Sequence, residues 1–209
     1  MLAATIREAA RRFGDRTAYV TEAGWSLSYA NLDQISDEIA AGLARRGIGP
    51  GDVSALVLPP GPEYLLLYLA NAKLGAVTAG VNDRLSERER IAVLEVAQPA
   101  LTIATPGSAP ARGESIEVSP AASLSDVCAD LRIAGAALAP RDELPDDPVA
   151  IIFTSGTTGL PKGACYCNRQ LAFITETDVG DNWDTGGRSF TGTSFAHLGF
   201  MTKLPGNLR

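Results

Sequence analysis

From Val53 onwards the chain alternates strand-like and helix-like runs in regular order, and this alternation constrains the fold more than any other feature. "VSALVL" (Val53 to Leu58) is β-prone, "PEYLLLYLANAKLG" helical, "AVTAGV" β-prone, "SERERIAVLEVA" helical and "ALTIAT" β-prone again. Strands separated by helices pair in parallel, because the chain must cross back before it can start the next strand in the same direction. The pattern predicts an α/β fold: a partial doubly wound, mostly parallel sheet with helices on both faces.

The segments before it fit the same picture. Leu2, Ile6, Ala9, Ala10 and Phe13 recur at helical spacing, and Thr17 to Val20 is a short β-prone run closed by "EAGW", so a helix and then a hairpin are expected. Ser28 is placed to cap an amphipathic helix that carries Leu32, Ile35, Ile39, Ala40 and Leu43 on one face until Gly47 and Gly49 stop it. Residues 106–148 are rich in Pro, Ala, Ser, Gly and Asp, with "APRDELPDDP" as the clearest connector. We expect a loose, linker-like surface segment there, in which Leu124 to Leu131 could form a short helix. The apolar run "VAIIF" (Val149 to Phe153) then reads as a buried strand.

That strand feeds directly into "TSGTTGLPKG", Thr154 to Gly163. Four hydroxyls (Thr154, Ser155, Thr157, Thr158), three glycines (Gly156, Gly159, Gly163) and Lys162 fall within ten residues. The mixture suits a phosphate: glycines let the backbone turn its N–H groups toward one anion, hydroxyls add donors, and a lysine supplies charge. Pro161 stiffens the approach to Lys162 by fixing its own φ. A Walker A loop is excluded, because Lys162 stands between Pro161 and Gly163 and no glycine pair has the required separation. A dinucleotide fingerprint fails as well, since Gly156 and Gly159 lack a third glycine in register and no helix clearly opens on the loop. An ordinary Gly/Thr-rich turn is the competing reading.

Composition narrows the partners. A net charge of −6, with Lys and Arg scattered, argues against nucleic acid. The longest apolar stretch, Tyr64 to Ala72, is far below the ~20 residues that span a bilayer, and it contains Asn71. "MLAATIREAARRF" lacks the basic and continuous apolar regions of a secretion signal, so a cytoplasmic location is expected. Cys128, Cys165 and Cys167 have no zinc spacing and read as structural or incidental.

The loop resembles the signature of the AMP-binding, adenylate-forming superfamily, which includes acyl- and aryl-CoA synthetases, luciferases and peptide-synthetase adenylation domains. "DRTAYV", "WSLSYANLD", "GIGPGDVSALVLPPGPEYL" and "ANAKLGAVTAGVNDRLSERE" extend the likeness, in order and spacing, through nearly the whole chain. The resemblance implies two steps: a carboxylate attacks the α-phosphate of ATP to give an acyl-adenylate and pyrophosphate, and the thiol of CoA then displaces AMP. It assigns Thr154, Ser155, Gly156, Thr157, Thr158, Gly159 and Lys162 to the β- and γ-phosphates. It also puts His197, the sole histidine, with Phe195 and Gly199, beside the acyl pocket, although a lone histidine is more often a satisfied surface or core residue. Thr193 and Ser194 stand where the family usually has Pro, and Asn168 where many relatives have His.

The family's later elements are a Tyr-Gly-x-Thr-Glu segment, a ribose-holding aspartate, a hinge and a C-terminal lysine domain, and none occurs before Arg209. Residues 1–209 are therefore expected to be an incomplete AMP-binding domain without the C-terminal domain. By this reading the chain is the front part of a fatty-acid-type CoA synthetase that lacks the Mg²⁺ ligand and is inactive alone. The alternatives are a non-catalytic nucleotide- or pyrophosphate-binding remnant, a partner of a full-length homologue, or an adenylation module that feeds a carrier protein.

Overall fold

The computed structural model describes residues 1–110, 113–154, 161–184, 187 and 192–209. The expected opening is present: α1 (Leu2–Phe13), then an antiparallel pair β1 (Thr17–Val20) and β2 (Ser26–Ser28). Ser28 caps α2 (Tyr29–Ala44) by accepting from the Asn31 N–H while the Asn31 side chain accepts from the Ser28 N–H. This reciprocal box satisfies two donors that a helix start otherwise leaves open.

The alternating stretch forms β3 (Val53–Val57), α3 (Pro62–Leu74), β4 (Val77–Gly80), α4 (Glu87–Ala97) and β5 (Leu101–Ala104). Two more strands belong to residues 106–148 and their border: β6 (Ser115–Glu117), which pairs in parallel with β5, and β7 (Pro148–Thr154), which pairs in parallel with β4. The last strand, β8 (Lys162–Cys167), runs antiparallel to β7. The sheet order is β6-β5-β3-β4-β7-β8. The chain steps one way from β3 to β4 and back across β3 to reach β5, and crossovers of one hand in opposite directions put α3 and α4 on opposite faces. The doubly wound expectation therefore holds, with β8 as an antiparallel addition at one edge.

Side-chain alternation along the strands separates two cores. Leu56, Ile103, Ala150 and Ile152 face the larger one with α1, α2 and α3, whereas Ala55, Val57, Ala79 and Ala104 face the smaller one under Val93 and Ala97 of α4. Every residue of α3 is buried, which explains its lack of a polar stripe. Lys73, the one cation in α3, is fully buried and donates to the Asp33 carbonyl at 2.6 Å, the Asp33 carboxylate at 2.5 Å and Asp37 at 2.7 Å.

Within 106–148, Val118, Val127, Cys128 and Leu131 join the larger core. Glu38 of α2 fastens this segment: its carboxylate accepts from the Gly135 N–H at 2.9 Å and from Arg132 Nε at 2.7 Å, and its carbonyl from the Ile133 N–H at 3.1 Å. The candidate short helix over Leu124 to Leu131 is reduced to one 3-10 turn, Ala129–Leu131. The chain ends with α5 (Asn168–Val179), α6 (Leu198–Met201) and α7 (Leu204–Asn207). No described helix is long and apolar enough to cross a membrane.

Candidate functional site

The phosphate-type loop joins β7 to β8, so it is the connection of an antiparallel hairpin and does not lead into a helix. Thr154 and Lys162 are register partners, and both side chains are exposed. Ser155, Gly156, Thr157, Thr158 and Gly159 lie outside the described residues. Among the described residues no carboxylate forms an ion pair with Lys162, so its charge is available to an anion.

Gly163 has a different role from the one its place in the motif suggests. It lies in β8 opposite Phe153 and does not adopt a positive φ. A Cβ there would come within 2.8 Å of Ile151 Cγ2 and 3.0 Å of Phe153 Cε1. The residue is glycine because the side chains of β7 occupy its space, not because the backbone must bend at that point.

The second predicted element docks over the end of β4, next to β7. β4 and β7 are parallel neighbours, with Gly80 opposite Ile152, so their carboxyl ends lie side by side. Residues 194–201 pack over the end of β4: a Cβ on Gly80 would meet Met201 Sδ at 2.7 Å, Tyr64 Oη at 2.9 Å and Ala196 Cα at 3.0 Å. Tyr68 Oη donates to the Met201 carbonyl at 2.8 Å. Phe195 and Phe200 stack at 3.7 Å, and Tyr64 meets both edge-on at 5.9 and 6.1 Å. This buried aromatic cluster fixes α6, which also packs against β7. Burial pushes the Tyr64 and Tyr68 hydroxyls well above the ordinary tyrosine range, so both stay protonated.

His197 stands at the start of α6 with an exposed side chain and extended backbone (φ −88°, ψ 158°). Phe195 is buried in the aromatic cluster, and Gly199 is exposed in the first turn of α6. Ser194 is buried, and its hydroxyl accepts from the Ala196 N–H at 3.3 Å. Asn168 is also buried: its N–H donates to the Asp147 carbonyl at 3.1 Å and its Nδ2 to the Leu144 carbonyl at 3.0 Å, which ties the start of α5 to the entry of β7. Sequence reasoning passed over Gly80, Tyr64 and Tyr68 because their partners lie more than a hundred residues away, as the separation of 133 between Tyr68 and Met201 shows.

A cleft of about 430 Å³ lies elsewhere, lined by Arg11, Asp33, Gln34, Asp37 and residues 135–137. Asp33 and Asp37 on its wall are already engaged by Lys73, so the loop's chemistry locates the site better than cleft size does. No group of three or more His, Cys, Asp or Glu gathers to hold a metal among the described residues.

A mostly parallel sheet with its candidate anion-binding loop at the carboxyl ends of the strands is the architecture of nucleotide-handling α/β domains. The AMP-binding enzyme family model matches residues 6–206, and the chain belongs to that family. An olefin beta-lactone synthetase of Xanthomonas campestris pv. campestris is 40% identical over 161 residues, which cover 70% of this chain and 28% of the relative. A 4-coumarate–CoA ligase 3 of Oryza sativa subsp. japonica is 36% identical over 159 residues, covering 72% of this chain and 28% of the ligase. The inhibitor-bound N-terminal domain of FACL13 from Mycobacterium tuberculosis superposes with a TM-score of 0.80 at 26% identity, over 99% of this chain and 54% of that one. The fold is also that of the O-succinylbenzoate coenzyme A synthetase MenE of Bacillus subtilis in complex with AMP, with a TM-score of 0.80 at 20% identity, over 98% and 52% of the two chains. The chain thus spans less than a third of the length of those two curated relatives and about half of the two solved chains.

Proposed function

We propose that these residues form the pyrophosphate-holding part of an ATP-dependent acid–thiol ligase. The observation that carries this reading is the Thr154–Lys162 pair, which sets a hydroxyl and a cation with no carboxylate partner among the described residues at the two feet of the loop. The substrate oxygen of a carboxylate attacks the α-phosphate, the bond from the α-phosphorus to the α–β bridging oxygen breaks, and that oxygen leaves on pyrophosphate with one new negative charge to be neutralised. Lys162, Thr154 and the loop residues Ser155, Gly156, Thr157, Thr158 and Gly159 are assigned to the β- and γ-phosphates. CoA thiol then displaces AMP, and any Mg²⁺ would arrive with the phosphates, which supply most of its ligands.

The acid is a hydrophobic carboxylate, with His197 beside its pocket. The sequence reading favours a fatty acid; likeness to 4-coumarate–CoA ligases supports an aryl-substituted one as well. A cytoplasmic location agrees with a supply of ATP and CoA. These 209 residues span less than a third of the curated relatives' length, and on their own they are proposed to hold ATP phosphates without turnover, in company with a full-length homologue. ATP–pyrophosphate exchange with a panel of fatty and aryl acids tests this. Exchange no faster than that of Lys162→Ala is expected from the 209-residue polypeptide, and exchange clearly above that variant would refute the assignment of inactivity.

A further inference from the structure

Cys165 and Cys167 are two residues apart on β8, and their thiols share the sheet face that also carries Ile151 and Phe153. The irregularity in the β7–β8 pairing lies between Pro148 and Ala150 of β7, so alternation along β8 is uninterrupted. Cys165 is exposed and Cys167 half-buried. Cys167 also precedes α5, and its N–H donates to Gln170 Oε1 at 2.7 Å.

Same-face neighbours on a strand stand about 6.7 Å apart at the backbone, with Cβ bonds nearly parallel. A disulfide needs Cβ atoms roughly 3.5–4.5 Å apart, so direct oxidation does not fit the extended strand. A bridging ion does, since two metal–sulfur bonds of about 2.3 Å span up to roughly 4.6 Å between sulfurs. Among the described residues no third His, Cys, Asp or Glu approaches to make a tetrahedral site. Cys128 is buried in the larger core, where burial pushes its thiol far above the ordinary range.

We propose that Cys165 and Cys167 form a two-coordinate site for a soft, thiophilic monovalent cation of the Cu(I) type. Thiolates select such ions over harder ones. Binding exchanges two S–H bonds for two S–Cu bonds: one Cu⁺ and two thiols give a dithiolate complex of charge −1 and two protons. Because binding releases two thiol protons, it tightens as pH rises. The site lies on the strand that begins at Lys162 and is independent of the ligase assignment.

The test is anaerobic competition for Cu(I) against bicinchoninate, with the full chain and single serine variants. The wild-type chain is expected to take one Cu(I), and Cys165→Ser and Cys167→Ser each to lose affinity by at least the ~100-fold that removal of a merely supporting group can cost. Cys128→Ser should keep wild-type affinity. Retention of tight binding in either single variant, or its loss in Cys128→Ser, overturns the proposal. Cys165 caps no helix and is exposed, so its variant reports on the site even if Cys167→Ser alters folding, and circular dichroism melts verify that each variant is native.

Discussion

Thr154 and Lys162 are partners across the final rung of the β7–β8 hairpin, so the first hydroxyl and the only cation of the ten-residue loop stand at its two feet. The loop is thereby closed by sheet hydrogen bonding on both sides. A helix-based phosphate loop relies on a helix N-terminus for its anion; here the strand pair fixes where the lysine begins.

Gly163 is the packing hinge of that hairpin. Gly163→Val places methyl groups where Ile151 and Phe153 already sit, and overpacking of this kind costs about 1–3 kcal/mol. A lowered urea midpoint with an unchanged m-value is the expected outcome.

Lys73 is fully buried and paired with Asp33 and Asp37, whose side chains keep 27% and 13% exposure. Removing this cation leaves the Asp33 carboxylate beside that of Asp37, which keeps Arg7 at 3.5 Å. Because water still reaches them, Lys73→Ala should destabilise toward the lower end of the ~3–5 kcal/mol seen for broken buried pairs. Chemical denaturation checks it.

Tyr68→Phe removes the hydroxyl that donates to the Met201 carbonyl and leaves that acceptor buried, at a cost of about 1–3 kcal/mol. The loss should be local, appearing as faster amide hydrogen exchange at Phe200 and Met201 than in α2.

Glu38 gives the fold an acid-sensitive tie. Burial alone would raise its pKa, but the Gly135 N–H and Arg132 outweigh it and hold the carboxyl below its ordinary value of 4.5. A depressed folded-state pKa means the stabilisation is complete above that ordinary value and is lost as pH falls through the folded one. The melting temperature should therefore drop below about pH 4.5, and Glu38→Gln should flatten part of that drop while lowering stability at pH 7.

Much of the sheet was legible because its strands are apolar runs bounded by helices with their own caps, such as Ser28 and Ser86. β8 was not, since "KGACYC" forms an exposed edge strand without the alternation of a half-buried one. β6 is only three residues long and sits in Pro/Gly-rich sequence, where short pairing leaves no period to read. At the site, the loop's chemistry was visible from residue types, but its hairpin geometry was not. Gly163 read as a bending residue, and the contact that requires it depends on which strand lies opposite. Gly80 likewise read as ordinary strand sequence, because Ala196 and Met201, which fill its empty side, come from a distant part of the chain.

The most direct test of the central claim is the melting temperature of the 209-residue chain with and without millimolar ATP or pyrophosphate, in wild type and Lys162→Ala. A ligand at 100 times its Kd stabilises the native state by about 2.7 kcal/mol, enough for a shift of several degrees. The account predicts that shift in wild type and little or none in Lys162→Ala, with the unliganded melting temperatures alike because Lys162 is exposed. Equal shifts in the two proteins, or none in either, would contradict the assignment of Lys162 and its loop as a phosphate site.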